Sequence, residues 1–142
     1  MTVGTYSNLK SPPRLKGVGA LVRRVLRDEH KNAEEITVVF VDDDYLLDVN
    51  RRFLSHNYKT DVIAFDLGED GTIEGEIYVS VERARVQARR YRIPLKKELV
   101  RLIVHGVLHL AGWEDKTRSQ KLRMRRRENE FIERLYVSRS IP

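Results

Sequence analysis

With 142 residues, 41% of them hydrophobic, the chain is long enough to bury one substantial core and too short for two. It has no cysteine, which excludes disulfides and thiolate metal sites and leaves nitrogen and oxygen as the available metal ligands. No apolar run approaches the roughly 20 residues that cross a bilayer, whereas a net charge of +6 favours a polyanionic partner such as nucleic acid. The first residues, Met1 to Asn8, lack the hydrophobic stretch of a signal peptide, so the expectation is a cytoplasmic protein without membrane contact.

In chain order, the segment through Tyr6 reads as an edge strand. After Pro12-Pro13, the apolar positions Leu15, Val18, Leu21, Val22, Val25 and Leu26 keep a helical period through about Asp28. Glu35-Ile-Thr-Val-Val-Phe-Val41 is a β-branched and aromatic run that reads as a buried strand. Asp42-Asp43-Asp44 supplies an N-cap for a helix through Tyr45, Leu46, Val49, Asn50 and Phe53. Asp61–Asp66 and Glu74–Ser80 are two further strands, and the turn Gly68-Glu-Asp-Gly71 between them predicts a hairpin. A helix follows from Val81 to Tyr91, another opens near Pro94 and runs to about Ala111, and a last one spans about Lys116 to Tyr136. Strands alternating with helices, then helices alone, predict an α+β fold (mixed α/β). The expected form is a small mixed sheet of about four strands packed with about five helices, in a single domain covering residues 1–142.

The fourth helix carries the most informative run, His105-Gly-Val-Leu-His109-Leu-Ala-Gly112-Trp-Glu-Asp115. Two imidazoles four residues apart lie one turn above each other on a helix face. Gly112 can take the left-handed conformation that ends a helix, letting Asp115 swing back toward the same point. Two nitrogens and an oxygen with room for water describe an open, catalytic metal site, with Zn2+ or another divalent transition metal as its ion. The bland alternative is a fortuitous pair of histidines. The apolar neighbours Leu102, Ile103, Val104, Val107, Leu108 and Leu110 argue against it, because unpaired imidazoles are costly to bury. The spacing is that of metzincin peptidases, but their general-base Glu is replaced by Gly106.

Three segments together resemble the YbeY family of metal-dependent endoribonucleases, also called rRNA maturation factors. They are Asn50…Thr60-Asp-Val-Ile-Ala-Phe65, Gly75-Glu-Ile-Tyr-Val-Ser80 and the His105–Trp113 run, in the family's order from about residue 35 to 135. The resemblance implies that the metal ligands are His105, His109 and Asp115, the last standing where most members have histidine. A carboxylate there is harder and anionic, which lowers the Lewis acidity of the ion. The family's arginine after the aromatic of the first pattern corresponds to Leu54, and His56 is the nearest polar replacement; its alternative is a solvent-exposed loop histidine. The resemblance further implies a 16S rRNA precursor as substrate, the small ribosomal subunit as setting, and ribosomal proteins and an Era-like GTPase as partners.

For RNA hydrolysis, cations beside the metal would stabilise the phosphate in the transition state, and Arg51, Arg52 and Lys59 are the candidates near the first pattern. The expected catalytic set is His56, Arg52 and Lys59. The proton acceptor is either hydroxide on the metal or Glu114. Lys116–Arg127 is the densest positive run, either a phosphate-binding surface or a solvated face paired with Glu128, Glu130 and Glu133, with Leu122 and Met124 toward the buried side. Arg83, Arg85, Arg89, Arg90 and Arg92 read as a plain exposed face, and Trp113 as packing at the helix end. The competing functions are a metal-dependent hydrolase of peptides or small molecules and a non-catalytic ribosome-associated factor.

Overall fold

The computed structural model describes residues 1–69 and 71–137. In chain order it contains β1 (Thr2–Ser7), α1 (Val18–Asp28), β2 (Ala33–Val41), α2 (Asp43–Leu54), β3 (Val62–Asp66), β4 (Ile73–Ser80), α3 (Val81–Tyr91), α4 (Leu95–Leu110) and α5 (Arg118–Val137). The four strands form one sheet in the order β1-β2-β4-β3. β1, β2 and β4 run parallel, while β3 pairs antiparallel to β4 as the expected hairpin. The fold is α+β, with a mixed four-stranded sheet and five helices among the described residues. None of these helices is long and apolar enough to cross a membrane.

Strand alternation divides the apolar residues between two faces. Ile36, Val38 and Phe40 of β2 and Ile77 and Val79 of β4 join side chains of α1, α4 and α5 in the main core. Val41 and Ile63 project the other way and meet Leu46 and Val49 of α2. Two helix starts differ from the sequence expectation. The first helix begins at Val18 and leaves Leu15 outside, because Gly17 is left-handed at φ 79° and breaks the period that the apolar positions suggest. The last begins at Arg118, because Thr117 is its cap. The Thr117 hydroxyl accepts the Gln120 N–H, and Gln120 Oε1 accepts the Lys116 and Thr117 N–H groups, a capping box that stops the helix short of Lys116.

The central helix sits unusually close to the sheet at two glycines. A Cβ on Gly106 of α4 would lie 2.6 Å from Cγ2 of Ile77, and one on Gly75 of β4 would overlap the Leu110 side chain. Gly106 therefore has a packing reason to be glycine, and a glutamate could not occupy the position without moving α4. Gly106→Ala is expected to lower stability by about 1–2 kcal/mol, overpacking outweighing the gain in helix propensity. Urea unfolding of Gly106→Ala, Ile77→Ala and the double variant checks this. The double variant should lose less than the sum of the two single losses, and additivity would contradict the close contact.

Candidate metal centre

The buried face of α4 continues into its last turn, where His105 and His109 stand one turn apart with ring centroids 4.6 Å apart. The helix then ends in a Schellman motif. The Gly112 N–H bonds to the His109 carbonyl at 3.0 Å and the Trp113 N–H to the Leu108 carbonyl at 2.9 Å. Gly112 has φ 104°, which a side-chain-bearing residue rarely adopts, and the reversal brings Asp115 back over the helix end. His105 Nε2 lies 3.0 Å from His109 Nε2, and Asp115 Oδ2 lies 3.2 Å and 3.3 Å from the two nitrogens.

The other ring nitrogens decide what these atoms can do. His109 Nδ1 lies 3.0 Å from the Trp113 carbonyl oxygen, which can only accept, so Nδ1 carries the proton. His105 Nδ1 lies 2.7 Å from Glu128 Oε2, and donates to that carboxylate by the same logic. Neutral rings in these tautomers turn both Nε2 lone pairs toward each other and toward the Asp115 carboxylate. Three electron pairs at this spacing repel unless a cation lies among them. Ligand atoms about 2.0–2.1 Å from a tetrahedral zinc are about 3.3 Å apart, close to the edges of this triangle. Among the described residues, His105, His109 and Asp115 are the group that could hold a metal ion.

Glu128 extends the site into the interior. It is buried on α5, and its Oε1 accepts from Arg101 Nη1 at 3.3 Å, while Arg101 also pairs with Glu98 at 3.4 Å. Burial by itself disfavours a charged His105. The hydrogen bond and charge of Glu128, followed by the charges of Asp115 and Asp61, outweigh it and hold the imidazole pKa above its ordinary value. Surroundings that favour a proton on His105 favour a divalent cation in the same place. Of the two expectations for the basic run Lys116–Arg127, the solvated face paired with Glu128 does not hold at Glu128, which is buried. Its signal was present, because Met124, Phe131, Ile132 and Leu135 form a buried stripe on α5 and Glu128 stands inside it.

The triangle borders an open cleft of about 500 Å³ lined by Leu54, His56, Tyr58, Thr60, Val62–Ala64 of β3, His109 and Gly112–Lys116. Of the expected catalytic residues, His56 is on its wall. Lys59 lies on a separate surface depression with Thr60, Asp61, Arg83 and Gln87. Arg52 is ion-paired to Asp48 at 3.1 Å and is not part of the cleft lining. Arg51 donates to Asn57 Oδ1 at 2.6 Å, bracing the loop instead. Lys116 and Glu114 supply charge of both signs to the wall.

A second cavity of about 340 Å³ lies across His105 and Asp115, and Asp61, Glu98, Lys121, Leu122, Arg125 and Glu128 are among its lining residues. Burial pushes the Asp61 carboxyl above its usual range, against the opposing pull of His105. Leu122, expected near the buried side, is 58% exposed, whereas Met124 is buried as expected. The basic run is divided: Arg127 is tied to Glu29 at 2.6 Å and Glu130 at 2.8 Å, while Lys121 and Arg125 line the second cavity. Arg83 likewise departs from a plain exposed face, pairing with Asp43 at 3.0 Å. Trp113 packs partly on the core as expected, and its indole N–H donates to Glu29 at 2.5 Å. A carboxylate that orients a ligating histidine typically contributes 10–100-fold to metal affinity. Glu128→Gln should therefore weaken zinc binding by roughly that factor in a competition titration against a chelating dye, and unchanged affinity would contradict the orienting role.

The family model described as Endoribonuclease YbeY matches residues 9–136. An endoribonuclease YbeY of Flavobacterium psychrophilum is 40% identical over 119 residues, 84% of this chain and 85% of its own. That of Cytophaga hutchinsonii is 42% identical across 74% of each chain. That of Porphyromonas gingivalis is 36% identical and covers 92% of this chain and 87% of its own. The solution structure of TM1509 from Thermotoga maritima aligns with a TM-score of 0.66 at 26% identity, covering 96% of this chain and 93% of that one. By its sequence, the chain belongs to the YbeY endoribonuclease family.

Proposed function

We propose that residues 1–142 form one domain, a metal-dependent endoribonuclease that hydrolyses single-stranded RNA at one zinc ion held by His105, His109 and Asp115. The observation that carries this reading is the triangle of three lone-pair donors, 3.0–3.3 Å on a side, bordering an open cleft with Lys116 on its wall. The relatives' printed name, endoribonuclease, supports RNA as the substrate class. In the cell the reading assigns the chain to the 3′-end maturation of 16S rRNA and to ribosome quality control. The setting is cytoplasmic, at the small ribosomal subunit, with ribosomal proteins and an Era-like GTPase as partners.

When bound, the ion supplies Lewis acidity that polarises a phosphoryl oxygen and makes water a competent nucleophile near neutral pH. The remaining work falls to the chain itself. The Nδ1–H bonds to Glu128 and to the Trp113 carbonyl hold both rings with Nε2 facing inward. Lys116, next to Asp115 in the wall, places positive charge where the phosphate gains negative charge. Glu114 and His56, both on the wall, take the proton-transfer roles. Lys59, on the neighbouring depression, serves a flanking phosphate. Arg52, held by Asp48, is left out of the site.

One feature favours the peptide-hydrolase reading. β3 is a sheet edge and lines the cleft, a place where an extended peptide could pair. The glycine at position 106, backed by Ile77, removes the carboxylate that such chemistry uses. The two readings separate in one assay, with single-stranded RNA and a peptide library as parallel substrates. RNA should be cut and peptides left intact, with cleavage stopped by a chelator and restored by added zinc. His105→Ala should lower the rate at least about a thousandfold, because the ion's contribution amounts to several kcal/mol. Undiminished cleavage by His105→Ala would overturn the assignment.

A further inference from the structure

The cleft wall carries an aromatic pair, His56 and Tyr58, of which the mechanism uses only the first. His56 and Tyr58 stack with centroids 5.1 Å apart and ring planes 20° apart, and the Tyr58 hydroxyl lies 3.0 Å from His56 Nδ1. Both rings line the cleft that borders the metal triangle, yet Tyr58 is 57% exposed. Leu54 beside them is also exposed, so the lip is apolar as well as aromatic.

The loop that carries the pair is held in place by its backbone. Asn50 is buried, and its side-chain N–H donates to the Tyr58 carbonyl at 2.9 Å. The His56 N–H donates back to the Asn50 carbonyl at 3.2 Å, with Ser55 in the left-handed cap position at φ 56°. Arg51 braces Asn57 from the same helix. A buried asparagine bonded to a loop carbonyl fixes the backbone that carries the ring before any ligand arrives, which lowers the ordering cost of binding. Aromatic faces held in this way beside a candidate metal centre suit single-stranded nucleic acid, whose bases stack with little regard to sequence.

We propose that Tyr58, backed by His56, is a stacking platform for the base of a nucleotide flanking the scissile phosphate. This deepens the endoribonuclease reading and rests on it. The platform binds and positions RNA, and Tyr58 itself takes no part in bond making or breaking. Stacking also accounts for an exposed tyrosine whose hydroxyl is occupied by a neighbour, since its free face is what remains for a ligand.

The test measures kcat/KM of the zinc-loaded wild-type, Tyr58→Ala and Tyr58→Trp proteins. The substrates are a single-stranded RNA of about ten nucleotides and a series in which one nucleotide at a time is made abasic. Tyr58→Ala should lower kcat/KM at least about fivefold, chiefly through KM, while Tyr58→Trp retains or raises it. At one abasic position near the cut, wild-type and Tyr58→Ala should become equal, because the base that stacks is gone. Thermal melts check that the variants fold, as expected when the Tyr58 anchor is its main-chain carbonyl. Equal rates for wild-type and Tyr58→Ala on intact RNA would overturn the platform. So would a loss that persists at every abasic position. If the wild-type protein cuts no RNA at all, the endoribonuclease reading itself falls and takes the platform with it.

Discussion

Three electron pairs pointing at one spot govern the functional end of this molecule. His105 Nε2, His109 Nε2 and Asp115 Oδ2 approach within 3.0–3.3 Å of each other while both Nδ1 protons are committed elsewhere. Such an arrangement is unfavourable by itself and favourable around a cation. Every neighbouring feature serves to hold it. The two glycines seat α4 hard against β4, the Schellman turn at Gly112 returns the chain to bring Asp115 within reach, and α5 closes over His105 with Glu128.

The electrostatics have a clear polarity. On the interior side, Glu128 and Asp61 act on His105, and the largely covered Arg101 bridges Glu98 and Glu128. On the solvent side, Lys116 and Glu114 bring charge of both signs to the cleft wall beside His56 and Tyr58. The interior carboxylates strengthen His105 as a donor and raise the attraction for a cation. An anionic third ligand reduces the charge that the ion presents to a phosphate, and Lys116 stands next to Asp115 in sequence, on the side where that deficit would be felt. The division also explains why the chain's positive charge is not spread uniformly: Arg127 serves structure through Glu29 and Phe131, leaving Lys121 and Arg125 at the surface of the second cavity.

What the sequence made legible was local. The histidine pair, the glycine turn and Asp115 fall within eleven residues, so helix periodicity and one left-handed glycine suffice to bring them together. Strands and helices were readable for the same reason, apart from helix starts that depend on the conformation of Gly17 and the cap at Thr117. Glu128 was not legible in the same way. It lies 23 residues from His105, and only the packing of α5 on α4 shows that a glutamate within a basic run is turned inward. Leu122 misled for the converse reason, being an apolar residue on the solvent side of that helix. His56 came from the family resemblance, as the polar residue nearest Leu54, but its partner Tyr58 required the fold, because ring stacking follows from a turn that spacing does not describe.

The central claim is that these three side chains form one metal-binding centre. Crystals grown with zinc, with anomalous diffraction measured on both sides of the zinc absorption edge, test it most directly. The account predicts a single strong zinc peak bonded to His105 Nε2, His109 Nε2 and an Asp115 oxygen, about 2.0–2.2 Å from each, with a fourth position open to solvent. A peak elsewhere in the molecule, or a fully occupied site that Asp115 does not touch, would contradict it.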